Sequence, residues 1–351
     1  MFASFSLPIL IAIFLAGAAA IWFAGVQLSN MTDVIDARFG LGEALGCLII
    51  LASATNLPEI AIVFGASLTQ HIGIAIGNIL GGIAIQTVVL AILDGFGLRR
   101  RGALTYEAAS LQLVLEGVLV MSVLVVAIMG TQLPGTFVIA RLAPGDVLIV
   151  VLWIVGLWLI NKARKDLPWQ EKGRAPDTMP AKRTKAERQR ERWSNLHVFG
   201  VLAIAAVITL IAGVVLEESG SAIADHIGLS GVLFGSTILA AATALPEIST
   251  GLAAVRIGDY NLAVSDIFGG NAFLPALFLL ATLLSGQAVL PQAKNSDIYL
   301  AGLGVLLTAI YVYGLIFRPR RQFLNLGIDS MVVLILYILG IAGLFVITGG
   351  K

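Results

Sequence analysis

Apolar runs long enough to cross a lipid bilayer recur along this chain from end to end, and that pattern admits little but a bundle of membrane helices. A hydrocarbon core about 30 Å thick is crossed by about 20 apolar residues in a helix. Only structures that satisfy every backbone group internally survive there. Ten spans fit the 351 residues, at 6–27, 43–68, 73–93, 110–130, 146–161, 197–216, 230–254, 262–284, 298–317 and 330–348. Charged residues make up 12% of the chain, about half the share usual in soluble domains. The opening "MFASFSLPILIAIFLAGAAA" lacks the positive start of a signal peptide and runs on through "IWFAG". It reads as an uncleaved first span.

Lysine and arginine collect on the cytoplasmic side of membrane proteins. With the N-terminus outside, the inner connections hold 19 of them: Arg38, Arg99, Arg100, Arg101, eleven between 161 and 195, Arg256, Arg318, Arg320 and Arg321. The outer side keeps Arg141, Lys294 and Lys351. So lopsided a split supports ten spans in the cell (inner) membrane, N-terminus out. The segment 162–195 is the one clearly polar stretch and reads as a solvated linker between 1–161 and 196–351. Its "AKRTKAERQRERW" can lie as a helix on an anionic leaflet. It carries no calcium-loop spacing. Without a basic face outside the loops, nucleic acid is not an expected partner. The expected partners are inorganic cations and the lipid bilayer, and a homo-oligomer is compatible with the sequence.

The two halves repeat. At an offset of 188, residues 52–84 match 240–272 at thirteen of thirty-three positions, including an unbroken Leu-Pro-Glu-Ile and a glycine pair. Each half holds five spans, an odd number, so the second enters the membrane upside down. Inverted repeats of this kind build many secondary transporters.

The repeated stretch, "ATNLPEI" at 54–60 and "ATALPEI" at 242–248, buries an acid and a helix breaker together. An ionised carboxylate at bilayer centre costs at least about 2.5–3.5 kcal/mol. Neither span has an interior lysine or arginine to offset Glu59 or Glu247. The two acids therefore converge near the midplane and bind a cation or take up protons. Pro58 and Pro246 cannot donate to the carbonyls of Ala54 and Ala242, which leaves oxygens for an ion. Thr55 and Thr243, one turn earlier, add hydroxyls on a similar face.

In "GNILGG" (77–82) and "SDIFGG" (265–270) small residues allow close helix approach, so Gly81, Gly82, Gly269 and Gly270 read as packing positions, with Gly82 and Gly270 also counted as candidate metal-site positions. Asn78 and Asp266 occupy equivalent places near opposite ends of the bundle, and Asp266 is either a candidate metal-site residue or a first-turn acid favoured by the helix dipole. Asn271 reaches toward the centre, and its counterpart Ile83 cannot. Glu116 reads as an interfacial or structurally bonded acid, and Asp146 and Asp329 as N-caps. His71, His197 and His226 show no metal-ligand spacing. Cys47 stands alone and forms no internal disulfide. No nucleotide-binding loop appears, so ion gradients are the expected energy source and no cofactor is expected.

These residues resemble the cation/calcium exchanger superfamily, whose two repeats carry a GTSLPE-type motif and then a G-N-x-x-G-S-N-type motif. Here they read "SATNLPE" with "GNILGG" (block 52–86) and "AATALPE" with "SDIFGG" (block 240–274). The resemblance implies an all-α membrane fold of two inverted five-helix repeats and antiport of Ca²⁺ against Na⁺, or in some branches H⁺. It implies that Glu59 and Glu247 are central Ca²⁺ ligands and that Thr55 and Thr243 add oxygens. The carbonyls of Ala52 and Ala240 would belong to flanking sodium sites.

The chain departs from that pattern. The serine after each threonine is Asn56 or Ala244, and the second motif's serine is Gly82 or Gly270. Four residues on stand Gln86 and Leu274, where sodium-coupled members place Asn or Asp. Ca²⁺ takes about six to eight oxygens, and Asn56, Gln86 and Asn271 join the two glutamates and two threonines as donors. As in the family, span one and span six (8–25 and 196–216) would slide across a fixed core. The alternatives are a proton-coupled exchanger on the same fold and a channel, for which no symmetric filter is seen. An intramembrane enzyme would need a nucleophile–base pair, and none accompanies the acids.

Overall fold

The computed structural model describes residues 2, 4–39, 55–98, 102–108, 110–136, 138, 141–165, 193–229 and 231–349. Ala52, Cys47, the 43–54 part of the second expected span, Arg99, Arg100, Arg101 and most of the 162–195 linker lie outside the described residues. Eleven longer helices carry the architecture. They are α1 (Leu7–Phe39), α2 (Leu57–Leu68), α3 (Ile72–Gly97), α4 (Leu111–Gly130), α5 (Pro144–Lys165), α6 (Asn195–Ile227), α7 (Leu245–Ile257), α8 (Tyr260–Phe273), α9 (Leu277–Ser285), α10 (Asn295–Phe317) and α11 (Ile328–Ile347).

Local chemistry sets their ends. Ser194 caps α6 by accepting the N–H of His197 at 3.2 Å, and Asp259 caps α8 by accepting that of Leu262 at 3.0 Å. Gly228 and Gly258 close α6 and α7 in the left-handed region, where a residue without Cβ carries no steric penalty.

Among the described residues eight helical segments are long and apolar enough to cross a membrane, α8 and α9 counting as one. A ninth crossing is broken: Gly235–Thr243 and α7 meet at a 48° bend. Of the expected span 43–68, the described residues include the helix α2. At 12 residues it reaches about 18 Å, short of a full crossing. Of the ten expected spans, the described residues thus show eight, or nine with the bent pair. The chain is also not wholly α: Gln322–Phe323 pairs antiparallel with Leu326–Gly327 between α10 and α11.

The 188-residue offset reappears in the helix boundaries. It carries both ends of α1 onto both ends of α6, and α3 onto the run from the start of α8 to the end of α9. At 33 residues each, α1 and α6 extend about 50 Å. That exceeds a hydrocarbon core about 30 Å thick, a mismatch that tilt or projection beyond the core accommodates.

α1 packs chiefly along α6, and the pair then rests on α7 and α2 respectively. The contact points are themselves related by the offset. Gly25 of α1 lies against Pro246, which a Cβ would approach to 2.7 Å, and Gly213 of α6 lies against Ala61 and the Pro58 carbonyl, at 2.8 and 3.1 Å. The α3 helix is the buried axis of the rest and is flanked by α2, α7, α8, α10 and α11. Gly81 brings it against Ser236 in the π-helical turn Gly235–Leu239, closer than any Cβ allows.

Leucine at Gly213 is expected to overpack this contact and lower stability by about 1–3 kcal/mol. Leucine at Gly200 of the same helix, where a Cβ meets nothing within 4 Å, is expected to be neutral. Thermal unfolding of the two purified variants checks the difference.

Candidate functional site

The two Leu-Pro-Glu stretches begin helices. Asn56 and Ala244 hold matching backbone conformations (φ −86°, ψ 14° and φ −78°, ψ 3°), and each is followed by a helix with proline in its first turn and glutamate third. A proline ring fits there because the first N–H groups of a helix have no internal acceptor. The break therefore does more than loosen carbonyls, as the sequence had led us to expect. It places a fresh helix N-terminus, with its free N–H groups and positive dipole end, under each carboxylate. Both glutamates accept their own backbone N–H.

The side chains then cross. Thr243 faces Glu59 and Thr55 faces Glu247, so the hydroxyl of each repeat meets the acid of the other. Thr243 also lies 3.2 Å from the Ala240 carbonyl, to which its hydroxyl donates, and that carbonyl accepts the N–H of Ala244 at 3.0 Å. Between the two acids stands Gln86 of α3. Its Nε2 lies 3.3 Å from Glu59 Oε1, 3.4 Å from Glu247 Oε1 and 3.3 Å from Asn56 Oδ1. One amide nitrogen thus sits where both carboxylates point. All of these side chains are fully buried. Glu59 Oε2, Glu247 Oε2 and Gln86 Oε1 have no protein partner.

The second-motif positions divide. Gly270 abuts the site: a Cβ there would lie 2.8 Å from Asn56 Nδ2 and 3.5 Å from Gln86 Oε1. The bulk of Asn56 fills the space that Gly270 leaves open. Gly82, its repeat mate, meets only Leu274, at 3.6 Å. Asn271 is fully buried, and its Nδ2 donates to Thr87 Oγ1 at 3.1 Å.

Asp266 is not the first-turn acid expected from sequence. It lies well inside α8, 2% exposed, accepting the Thr250 hydroxyl at 2.6 Å, and its charge bears on Glu247. Thr250 was not singled out from sequence. Its place one turn after Glu247 was the available signal. Asn78, the counterpart of Asp266, is buried with neither amide atom bonded.

The remaining acids are structural at first sight. Glu116 accepts from Gln112 Nε2 at 2.9 Å. Asp146 and Asp329 sit in the first turns of α5 and α11, Asp329 two residues past the N-cap position and accepting N–H groups of its own first turn. They accept hydroxyls of Thr282 and Thr105 from other helices, each at 2.5 Å. The cap of α11 is Gly327.

A site of this kind, with convergent carboxylates, hydroxyls and amide oxygens and no buried lysine or arginine bonded to it among the described residues, has the donor chemistry of hard cations. Comparison with known proteins agrees. The family model described as sodium/calcium exchanger protein matches residues 9–160 and 197–346. The inner membrane protein YrbG of Escherichia coli (strain K12) is 26% identical over 288 residues, which are 82% of this chain and 83% of that protein. Sodium/potassium/calcium exchanger 1 of Homo sapiens is 36% identical over 78 residues, 21% of this chain and 7% of that protein. Among solved structures, the H⁺/Ca²⁺ exchanger CAX aligns with a TM-score of 0.69 at 14% identity, covering 94% of this chain and 81% of its own. The sodium-calcium exchanger NCX_Mj aligns at 0.61 and 18% identity, covering 96% and 99%. These two show the fold. The chain belongs to the sodium/calcium exchanger family, and is a multi-pass membrane protein of a family that moves inorganic cations rather than catalysing reactions.

Proposed function

We propose that this protein exchanges Ca²⁺ for Na⁺ by alternating access at one midplane site built on Glu59 and Glu247. The observation that carries the reading is the shared approach of both carboxylates to Gln86 Nε2, with a second oxygen of each left unbonded in a buried space. Two unit charges about 5 Å apart repel by about 3 kcal/mol at an effective dielectric constant near 20. One divalent ion removes that repulsion, as do monovalent ions in larger number. Without an ion, the Gln86 amide supplies only a partial positive charge. In the loaded state Gln86 rotates its free Oε1 toward the ion, and Thr55, Thr243 and backbone carbonyls complete the shell.

The switching element is the α1–α6 pair. It lies directly on the two helix breaks, Gly25 on Pro246 and Gly213 on Pro58, so its displacement exposes one side of the site or the other. The two halves, 1–161 and 196–351, supply equivalent walls, and 162–195 joins them. The empty site, with two uncompensated charges, is too costly to carry through the closed state, and this enforces exchange over leak.

Proton coupling is the second reading, and one observation favours it. The Asn56 amide fills the space beside Gly270 where the family pattern has a hydroxyl, so a flanking sodium seat is closed by an N–H donor. Protons need no such seat.

Uptake of ⁴⁵Ca²⁺ into proteoliposomes, with sodium and pH gradients imposed separately, tests the proposal. The outward sodium gradient is expected to drive uptake. Response to the pH gradient alone establishes the second reading, and response to neither rejects antiport. Glu59→Gln and Glu247→Gln are each expected to slow exchange at least about 100-fold, from the cost of removing one partner of a buried charged set. Gln86→Leu is expected to lower the stability of the cation-free protein by about 1.5–3 kcal/mol, with less effect at saturating Ca²⁺. Thermal unfolding with and without Ca²⁺ reads that difference.

A further inference from the structure

A second pair of carboxylates is buried where α3, α10 and α11 meet, and the exchange site does not use it. Asp94, near the end of α3, is 0% exposed, and Asp329 is 6% exposed. Asp94 accepts two backbone N–H groups, that of Leu104 at 2.8 Å and that of Gly327 at 2.6 Å. Asp329 Oδ2 takes the Thr105 hydroxyl, while its Oδ1 is buried with no protein partner. A Cβ on Gly327 would lie 2.5 Å from that Oδ1 and 3.0 Å from Asp94 Oδ2, so both acids close on one small space. The buried hydroxyls of Ser330 and Tyr311, 3.2 Å apart, stand beside it. Among the described residues no lysine or arginine pairs with either acid. Arg318 is turned instead to the Tyr106 carbonyl and ring.

The other half of the chain is an internal control. The 188-residue offset carries Asp94 onto Thr282. There the first-turn acid Asp146 meets a hydroxyl: Thr282 Oγ1 donates to Asp146 Oδ2 at 2.5 Å and accepts the N–H of Val289 at 3.2 Å. Pinning a connection to a helix end therefore requires only a threonine. A carboxylate in that position adds a negative charge that the fold does not need, facing another that is already buried. Such a pair is stabilised by a cation between its members or by a proton on one of them, and the unbonded Asp329 Oδ1 faces the space where a cation would sit.

We infer that Asp94 and Asp329 hold a divalent cation at this end of the bundle, with the hydroxyls of Thr105 and Ser330 as neutral donors. The ion would clamp the 102–108 connection and the 322–327 hairpin onto α3. Its seat lies about 12 Å further along α3 than Gln86, too far to share a ligand with the exchange site. With only two carboxylates its affinity falls in the weak range, about 10⁻⁴–10⁻³ M.

The test is Ca²⁺ titration of the full-length protein in detergent, read as bound ⁴⁵Ca²⁺ and as the shift in Tm. Wild type is compared with Asp94→Thr, Asp329→Asn and the Glu59→Gln/Glu247→Gln pair. Wild type is expected to bind about two Ca²⁺ per chain and Asp94→Thr about one. The glutamate variant should keep the weaker site and still gain Tm with Ca²⁺, and adding Asp94→Thr should abolish that gain. If Asp94→Thr does not fold, Asp329→Asn reads the same loss. Unchanged stoichiometry in a folded Asp94→Thr or Asp329→Asn protein overturns the inference, as does a folded glutamate variant that binds no Ca²⁺. A glutamate variant that keeps both ions while Asp94→Thr loses one supports this site and rejects the exchange-site reading instead.

Discussion

An ionised carboxylate in hydrocarbon costs several kcal/mol, and this chain brings two glutamate carboxyl groups around a single amide nitrogen. The rest of the structure answers to that cost. Each acid sits third in a helix that starts at the site, so free N–H groups and a dipole end lie beneath it. Each is crossed by a hydroxyl from the other repeat, and the amide of Gln86 occupies the middle. These donors hold the charges partly, and two carboxylate oxygens remain unbonded.

The same breaks serve as the bearing surface of the molecule. Helix interiors offer ridges of side chains, whereas a broken helix at Leu-Pro-Glu offers a flat proline face that a glycine can approach closely. Gly25 and Gly213 exploit this at positions related by the repeat offset, and so a long helix from each half packs on the break that precedes each glutamate. The buried carboxyl groups and the contact surface of the long helices are thus built from one seven-residue stretch used twice. Where the repeats diverge, chemistry diverges with them. Gln86 stands opposite Leu274, Asp266 opposite Asn78, and Asp94 opposite Thr282. The framework is shared and the polar exceptions are specific to one side.

Much of this was legible in the residues. Runs of apolar side chains located the crossings because the bilayer imposes a length, and two unpaired glutamates in those runs located the centre because hydrocarbon penalises charge. The offset of 188 relates the halves in sequence alone. What could not be read was direction. Sequence places Asn271 and Gln86 equally near the motifs, but helix rotation sends the first to Thr87 and the second between the acids. Asp146 and Asp329 read as caps, since a first-turn acid commonly serves its own helix. Their partners proved to be hydroxyls more than a hundred residues away. The complement between the bulk of Asn56 and the missing side chain of Gly270 is likewise a contact across the repeats, which no local pattern encodes.

If the doubly charged empty site is indeed too costly to bury, outward movement of labelled ion must depend on an ion waiting on the other side. Efflux of ⁴⁵Ca²⁺ from preloaded proteoliposomes into buffer with and without unlabelled Ca²⁺, at clamped pH and without sodium, measures this directly. The account predicts that external Ca²⁺ accelerates efflux at least tenfold, which corresponds to about 1.4 kcal/mol or more of barrier removed. Equal efflux in both buffers would show that the unoccupied site crosses freely, and would contradict the central role given to Glu59 and Glu247.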